Sequence, residues 1–199
     1  FVTWGLTQVS NNGDASQAFR SAAFTMVSIN TTTGFVTDDF NLWPEYLKLF
    51  VVAIMMIGGC SGSTSGSFKV IRFIILLKII MRELKKLIYP RAIFHVKVGD
   101  KTIDADDLSN VAALTFLFMG LSALGGILLS AMGVDLTTAL SATVASLFNI
   151  GPGLGDVGAM GNFSEIPAMG KGILILFMLL GRLEIYGVIL LFLPMTWRK

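Results

Sequence analysis

The sequence predicts an all-α polytopic membrane protein in which full-length helices alternate with short, re-entrant ones. Of its 199 residues, 54 % are apolar and only 14 % are charged, and the mean hydropathy of +0.75 lies well above that of soluble globular domains. Two apolar helical patterns are too short to cross a bilayer, and each ends in a polar turn that contains glycine. The Lys and Arg residues collect in the middle of the chain, as they do in segments that stay in the cytoplasm.

Composition also excludes several classes of protein. A single cysteine, Cys60, rules out an internal disulfide and a cysteine-based metal site, and with a single histidine, His95, a zinc site is not expected either. The net charge of +2 is too small to indicate binding to nucleic acid. Residues 1–6 resemble the end of an apolar helix rather than a signal peptide, so we expect the chain to be a fragment of a longer protein.

The first short helix is predicted over residues 15–29. It would reach roughly 22 Å, less than the ~30 Å hydrocarbon core, so it enters the bilayer without leaving it. The turn over residues 30–35 then lies at membrane depth, where irregular backbone is stable only against protein or a water-filled cavity. Unpaired carbonyls at the negative end of a helix dipole suit a dehydrated cation, and Gly34 lets several of them face one axis. An exposed loop between two helices is the simpler alternative.

A second copy of this arrangement favours the lining of an ion pore. A short helix is predicted over residues 137–148, with Asp135 or Thr137 as its cap. It runs into a second polar turn, residues 149–153. Two re-entrant turns in one chain are difficult to explain as two surface loops.

The helices that follow the two turns share a spacing. Pro44 and Pro167 each suit the start of a helix. Gly58 lies fourteen positions after the first proline, and Gly181 lies fourteen positions after the second. This shared spacing indicates an internal repeat.

The helix over residues 45–88 is predicted to break at membrane depth, because its apolar sequence stops at Gly58 and resumes at Phe68. Three interpretations of the small polar residues between them compete. A phosphate-binding loop needs Lys directly after its last glycine, whereas Gly66 is followed by Ser67. A flexible linker would have to lie in water, yet apolar runs flank it on both sides. We therefore expect a loop that lines the cavity beneath the turns and opens or blocks the path.

The middle of the chain is predicted to be cytoplasmic. Nine Lys or Arg residues lie in the range 69–101, and none lies in the range 133–166. By the positive-inside rule, residues 69–107 and the C-terminus face the cytoplasm, and both polar turns approach from outside. Residues 91–107 are predicted to form a linker with a small hairpin, in which His95 is an ordinary surface histidine.

Two further helices are long enough to span the bilayer, over residues 108–132 and 167–196. Arg182 lies near the centre of the second, about 13 residues or roughly 20 Å from either end, which is too far for snorkelling. An intramembrane arginine faces protein or a wet cavity and indicates a functional site. A packing ion pair with Glu184 is the alternative, although residues two positions apart do not face each other on a helix. We expect Arg182 to repel cations or to anchor the loop that follows Gly58.

Together these stretches resemble the Trk/Ktr/HKT superfamily of potassium transporters, most closely its bacterial TrkH-type pore subunits. The resemblance covers nearly the whole chain and rests on Thr31-Thr32-Thr33-Gly34-Phe35, Asn149-Ile150-Gly151-Pro152-Gly153, the 58–67 loop and Gly181-Arg182-Leu183-Glu184. It implies four linked units of helix, pore helix and helix around one pore, a voltage-gated-like ion channel architecture. Residues 1–90 then correspond to the third unit without most of its first helix, residues 91–107 to a cytoplasmic linker, and residues 108–199 to the fourth unit.

The resemblance also implies roles for individual residues. The selectivity filter comprises the two turns, with main-chain carbonyls as ligands: Asn30, Thr31, Thr32, Thr33, Gly34, Phe35, Asn149, Ile150, Gly151 and Pro152. Potassium is expected at Thr32, Thr33, Asn149 and Ile150. The gate comprises the intramembrane loop and the arginine beside it: Gly58, Gly59, Ser61, Gly62, Ser63, Thr64, Ser65, Gly66 and Arg182. Neither turn reproduces the Thr-Val-Gly-Tyr-Gly run of K⁺ channels, which leaves the number of ion sites and the exclusion of sodium open.

The expected function is potassium uptake across the bacterial cytoplasmic (inner) membrane, with potassium as the transported substrate and with no organic cofactor and no enzymatic chemistry. The resemblance implies four kinds of partner: membrane lipid, the remaining pore repeats of the same protein, a second copy in a homodimer, and a cytoplasmic nucleotide-binding regulatory subunit. A sodium-permeable or sodium-coupled transporter of the same superfamily is the alternative. A non-conducting scaffold, or an intramembrane enzyme using Cys60, Ser61 or His95, would be a different class, but His95 is assigned to the cytoplasmic hairpin, away from Cys60.

Overall fold

The computed structural model describes residues 2–9, 15–60, 62–63, 66, 68–92, 94–99, 101–183 and 185–188. Within them the fold is mostly helical, with one two-stranded hairpin. The helices and strands follow in chain order: α1 Val2–Val9, α2 Ala15–Asn30, α3 Glu45–Met55, α4 Val70–Ile88, β1 Lys97–Val98, β2 Lys101–Thr102, α5 Ala105–Ala131, α6 Leu136–Leu147 and α7 Ala168–Arg182.

The two short helices predicted from the sequence are present. α2 has 16 residues and α6 has 12, and at roughly 24 and 18 Å both are shorter than a bilayer core. Asp135 caps α6, because its carboxylate accepts hydrogen bonds from the amides of Thr137 at 3.0 Å and Thr138 at 3.4 Å. α5 begins three residues before the predicted boundary, and within the described residues it is the one helix long and apolar enough to cross a membrane.

The helix predicted over residues 45–88 is broken, as its glycine-rich centre indicates. α3 ends at Met55, and α4 begins at Val70. Pro44, at the start of α3, has φ −53° and ψ 148°, and Pro167, at the start of α7, has the same values. The fixed φ of proline prepares the chain to enter a helix in both places. Equal backbone geometry at these two positions is what an internal repeat predicts.

α6 forms the centre of the core. Nine of its twelve residues are buried, and it packs against α3, α5 and α7. Gly125 lets α5 approach closely, since a Cβ built there would overlap the ring of Phe177 and lie 2.5 Å from Cγ2 of Thr143. Just beyond α6, the ring of Phe148 stacks on Phe118 of α5 with centroids 5.2 Å apart. The second polar turn therefore starts from a tightly packed helix.

The predicted hairpin lies between α4 and α5. β1 and β2 pair antiparallel, with Lys97 opposite Thr102, and the chain turns at Gly99, where φ is +60°. A small apolar cluster joins the hairpin segment to both helices: Ile75, Val96 and Leu108. His95 is exposed beside it. The hairpin thus packs on α4 and α5, the helices that precede and follow it in the sequence.

The last helix differs from the uninterrupted span predicted over residues 167–196. α7 ends at Arg182, and a turn separates it from a short helical segment at 186–188. The amide of Ile185 donates to the carbonyl of Leu180, five residues back, at 3.0 Å, so a wider turn replaces the regular helical hydrogen bond. The prediction of an unbroken helix was wrong here, because the apolar run continues on both sides of Arg182 and Glu184 and no proline marks the interruption. Residues 189–196 of the predicted span lie outside the described residues.

Candidate ion-permeation site

The first predicted filter turn begins as a hydrogen-bonded cap on the C-terminus of α2. The amide of Thr32 donates to the carbonyl of Ile29 at 3.0 Å, and the amide of Thr33 donates to the carbonyl of Ser28 at 2.9 Å. This pattern is a Schellman cap, in which one residue takes the left-handed conformation. Thr32 does so, with φ +53°. Local backbone hydrogen bonds therefore shape this turn.

The second predicted filter turn begins in the same way at the C-terminus of α6. The amide of Asn149 donates to the carbonyl of Ser146 at 3.2 Å, and the amide of Ile150 donates to the carbonyl of Ala145 at 2.9 Å. Asn149 has φ +55°. Each of these residues lies 117 positions after its counterpart in the first turn. This constant offset is expected if the two turns belong to two copies of one structural unit.

The two turns lie against each other. A Cβ built on Gly34 would overlap the carbonyl oxygen of Ile150 and lie 3.3 Å from Cδ of Pro152. Gly34 also has φ +77°, so both the close approach and the backbone conformation require glycine there. Gly151, its counterpart, has φ +110°, but no described atom lies within 4 Å of a Cβ built on it. The ends of the two short helices thus meet at one place.

Oxygen atoms of the main chain are the ligands that these turns can offer. The hydroxyl of Thr31 is hydrogen-bonded to the carbonyl of Val27 at 2.8 Å and to the hydroxyl of Thr33 at 2.8 Å. Among the described main-chain amides, none donates to the carbonyl oxygens of Thr33 and Ile150. Carbonyl oxygens next to the negative end of a helix dipole suit a monovalent cation that has lost its water.

Two other predicted filter residues use their carbonyls to anchor the first turn. The carbonyl of Phe35 accepts a hydrogen bond from the hydroxyl of Ser28 at 2.7 Å. The carbonyl of Asn30 accepts one from the amide of Gly59 at 3.2 Å. Sequence analysis missed the role of Ser28, although a polar residue just before a turn at membrane depth was an available signal.

The predicted gate loop is closed at its neck by backbone hydrogen bonds. The amide of Gly58 donates to the carbonyl of Phe68 at 3.2 Å, and the amide of Val70 donates to the carbonyl of Gly59 at 3.2 Å. A short parallel bridge joins Ile57 to Phe68. Because Gly59 also donates to the end of α2, the neck of the loop is attached to the first turn.

The C-terminal part of the loop reaches the second turn. Gly66 is buried, and a Cβ built on it would lie 2.6 Å from Nδ2 of Asn149. Gly62 and Ser63 are exposed. The remaining predicted gate residues of this loop lie outside the described residues: Ser61, Thr64 and Ser65. The described part of the loop therefore contacts both turns, one at each end.

Arg182 lies at the C-terminal end of α7 and is exposed in this chain. The preceding Gly181 is buried, and a Cβ built on it would overlap the carbonyl oxygen of Leu147 and lie 2.8 Å from Nδ2 of Asn149. Since Asn149 also contacts Gly66, the end of α7 and the loop meet at one side chain. Glu184, the alternative partner of the arginine, lies outside the described residues.

A contact that sequence analysis did not predict joins the segments that follow the two turns. The side-chain amide of Asn41 donates to the carbonyl of Gly155 at 2.9 Å, and its oxygen accepts from the amide of Gly155 at 3.0 Å. The carboxamide therefore pairs with the main chain as a neighbouring strand would. An asparagine in a polar loop carries no signal for a partner 114 positions away.

Comparison with known proteins decides the family. The family model described as TrkH, cation transport protein, matches residues 6–199. The chain belongs to the TrkH family. The Trk system potassium uptake protein TrkH of Halomonas elongata is 41 % identical to it over 191 residues, which cover 96 % of this chain and 39 % of that protein. TrkH of Escherichia coli (strain K12) is 38 % identical over 185 residues, which cover 93 % of this chain and 38 % of that protein.

The fold agrees with that of the TrkH family. The crystal structure of the potassium transporter TrkH from Vibrio parahaemolyticus matches with a TM-score of 0.90 at 37 % identity, covering 99 % of this chain and 42 % of that chain. The chain thus spans about two-fifths of the length of its TrkH relatives. The resemblance found from the motifs is confirmed, and the mostly helical fold is consistent with an all-α membrane protein. These relatives are transporters and not enzymes.

Proposed function

We propose that the full-length protein takes up potassium across the bacterial inner membrane through one pore, of which this chain supplies two repeats. Residues 1–90 form the third repeat, residues 91–107 a cytoplasmic linker, and residues 108–199 the fourth repeat. The names of the relatives as potassium uptake proteins support the substrate. The equal caps on α2 and α6 support the division into repeats.

One observation carries this proposal: Gly34 of the first turn lies against the carbonyl of Ile150 in the second. Two half-length helices therefore direct their C-terminal ends, with the negative poles of their dipoles, to a shared point. We assign potassium to the main-chain carbonyls of Thr32, Thr33, Asn149 and Ile150. A dehydrated cation needs several oxygen ligands, and two turns in contact supply them from two sides.

The proposed gate is the 58–67 loop together with Arg182. The loop is attached at its neck to the end of α2, and Gly66 in its C-terminal part lies against the second turn, so it lies next to the proposed filter. A cation passing about 4 Å from the guanidinium would be repelled by roughly 4 kcal/mol at an effective dielectric constant of 20. Such a barrier would slow the passage of the cation about a thousandfold while the arginine and the loop stay in place.

The cytoplasmic surface is the proposed contact for a nucleotide-binding regulatory subunit, and a second copy of the protein completes a homodimer. Residues 69–107 and the C-terminus lie on this side in the proposed topology. The end of α4 supports a binding surface there, because it combines Lys85 and Lys86 with the exposed apolar side chains of Leu84 and Leu87.

The substitution Gly34→Ala in the full-length protein tests the filter assignment. A methyl group at Gly34 overlaps the Ile150 carbonyl, so we expect rubidium uptake and potassium-dependent growth to fall at least about tenfold, the change that ~1.4 kcal/mol produces. Gly172→Ala on α7 is the matched control, because no described atom lies within 4 Å of a Cβ built there.

Replacing potassium with sodium in the same uptake assay distinguishes a potassium transporter from the alternative, a sodium-permeable or sodium-coupled transporter. We expect the unmodified protein to take up potassium and rubidium in preference to sodium, and Gly34→Ala to reduce this preference. Uptake and ion preference equal to those of Gly172→Ala would contradict the filter assignment, and equal uptake of sodium by the unmodified protein would favour a sodium-permeable transporter.

A further inference from the structure

We propose that Asn41 is a positioning residue for the proposed filter and that it sets how strongly the pore prefers potassium to sodium. Asn41 lies seven positions after Gly34. Its side chain joins the segment after the first turn, residues 36–43, to the segment after the second turn, residues 153–158. The proposal rests on the proposed function, because it concerns the spacing between the two turns to which the ion is assigned.

The segment after the second turn is fixed on α6. The hydroxyl of Ser141 accepts a hydrogen bond from the amide of Leu154 at 2.9 Å, and the hydroxyl of Thr138 accepts one from the amide of Asp156 at 3.3 Å. Both hydroxyl-bearing residues are buried, and both belong to the helix at the centre of the core. This segment is therefore a firm support for whatever binds to it.

The segment after the first turn is held in a different way. Phe40 and Trp43 are buried and attach it by apolar packing, which is not directional. Among the described hydrogen bonds of residues 36–43, those between Asn41 and Gly155 are the ones that reach another segment. Hydrogen bonds have a preferred length and angle, so these two fix where the first segment lies along the second.

The space around the carboxamide fits an asparagine. A Cβ built on Gly158 would overlap Nδ2 of Asn41 and would lie 2.6 Å from its Cγ. Gly158 is buried, so the carboxamide is bounded by Gly155 on one side and by Gly158 on another. A shorter side chain at position 41 loses both hydrogen bonds, and a larger residue at position 158 displaces the carboxamide.

Two contacts thus connect the first turn and its following segment to the second. Gly34 lies against the carbonyl of Ile150, and Asn41 lies against Gly155. A single contact lets two segments tilt about it, whereas two contacts fix the distance between them. Ion preference depends on the size of the cavity or on how many carbonyls reach the ion, and both change with the distance between the turns. Asn41 therefore acts on ion preference through Gly155, without contacting the ion.

The ratio of rubidium to sodium uptake by the full-length protein tests this role. Asn41→Ala removes both hydrogen bonds, so we expect the ratio to fall about fivefold, the shift in population that the loss of one hydrogen bond typically produces. General damage to the structure lowers the number of working transporters and reduces both fluxes alike, which leaves the ratio unchanged. Leu42→Ala is the matched control, because this neighbouring side chain is 79 % exposed in this chain.

A second pair of variants keeps the test valid if Asn41→Ala does not fold. Asn41→Asp preserves the size of the side chain and can still accept from the amide of Gly155, but it has no donor for the carbonyl of Gly155. We expect a similar fall in the ratio. Leu42→Asp adds the same charge one position away, where it attracts both cations alike, so we expect its ratio to equal that of the unmodified protein.

Gly158→Ala tests the same contact from the other segment. Its methyl group displaces the carboxamide of Asn41, so we expect the ratio to fall as it does in Asn41→Ala. Combining the two substitutions should lower the ratio no further, because each of them alone already removes the contact. Two independent kinds of damage would instead multiply in the double variant.

Hydrogen exchange of the Gly155 amide measures the contact without any ion flux. This amide donates to Oδ1 of Asn41, so we expect it to exchange faster in Asn41→Ala and at the normal rate in Leu42→Ala. Unchanged exchange, faster exchange with an unaltered ratio, or multiplied losses in the double variant would overturn the proposal. Failure of the unmodified protein to take up rubidium would refute the proposed function itself. Rubidium uptake with equal ratios in Asn41→Ala and Leu42→Ala would refute only the role of Asn41.

Discussion

α2 and α6 end in the same hydrogen-bonded cap, yet their surroundings differ sharply. Nine of the twelve residues of α6 are buried, against five of the sixteen of α2. The equivalent residues Val27 and Val144 show the contrast directly, because the first is 62 % exposed and the second 4 %. α6 packs against α3, α5 and α7, whereas α2 packs against α1 and α3.

Within this chain, which spans about two-fifths of the length of its relatives, the two turns adopt the same backbone although the helices before them are buried to different extents. A Schellman cap satisfies its amides with carbonyls of the helix that it terminates, so it needs no partner from another part of the chain. Packing then decides which face of the helix is covered. The conformation of the turn thus depends on neighbouring residues, whereas its position in the molecule depends on the packing of its helix.

The largest effect is expected where α5 and α7 meet α6. Gly125→Ala puts a methyl group into the ring of Phe177 and against Thr143, so we expect the free energy of unfolding to fall by about 1–3 kcal/mol. Gly120→Ala on the same helix is the control, since no described atom lies within 4 Å of a Cβ built there. Melting of the full-length protein in detergent measures both, and equal melting temperatures would contradict the close packing.

The equivalent residues Val27 and Val144 test whether the difference in burial between α2 and α6 persists in the full-length protein. Val144→Ala leaves a cavity beside α6, and we expect a loss of about 1–2 kcal/mol. The proposed pore places the remaining repeats of the full-length protein around the same axis, so we expect Val27→Ala to lose a similar amount there. The same melting assay measures the two variants side by side. A loss confined to Val144→Ala would show that the open face of α2 meets lipid instead.

The smallest effect is expected at the cap itself. Thr32 is β-branched and has φ +53°, a conformation that glycine adopts without strain, so Thr32→Gly should raise the free energy of unfolding by up to about 1 kcal/mol. Thr33→Gly is the matched control, since Thr33 is not among the residues with positive φ, and we expect it to lower the melting temperature. Equal decreases in both variants would show that the left-handed residue is not strained.

Local patterns in the sequence predicted most of the fold. The two short helices, the break after Gly58 and the hairpin around Gly99 were all predicted, because each depends on residues within a few positions of one another. The end of α7 at Arg182 was not predicted. At that end Gly181 packs against the carbonyl of Leu147, a residue from another helix.

In the candidate site, too, local features were predicted from the sequence and contacts between distant residues were not. Thr32 and Asn149 were assigned to the two turns from sequence, and their backbone follows from the helices that they end. The contact between Gly34 and Ile150 and the packing of Asn149 between two glycines join residues more than 30 positions apart. Nothing in the residue types at those positions indicates the partner.

By itself the sequence determined where the two short helices lie, where the helix after Pro44 breaks, which turns are polar and where the positive charge lies, since these depend on neighbouring residues and on transfer between water and lipid. Only the tertiary structure decided that the two turns meet, that the loop is attached to both, and that Arg182 ends its helix beside them. Such contacts depend on shape complementarity between distant segments, which no local pattern encodes.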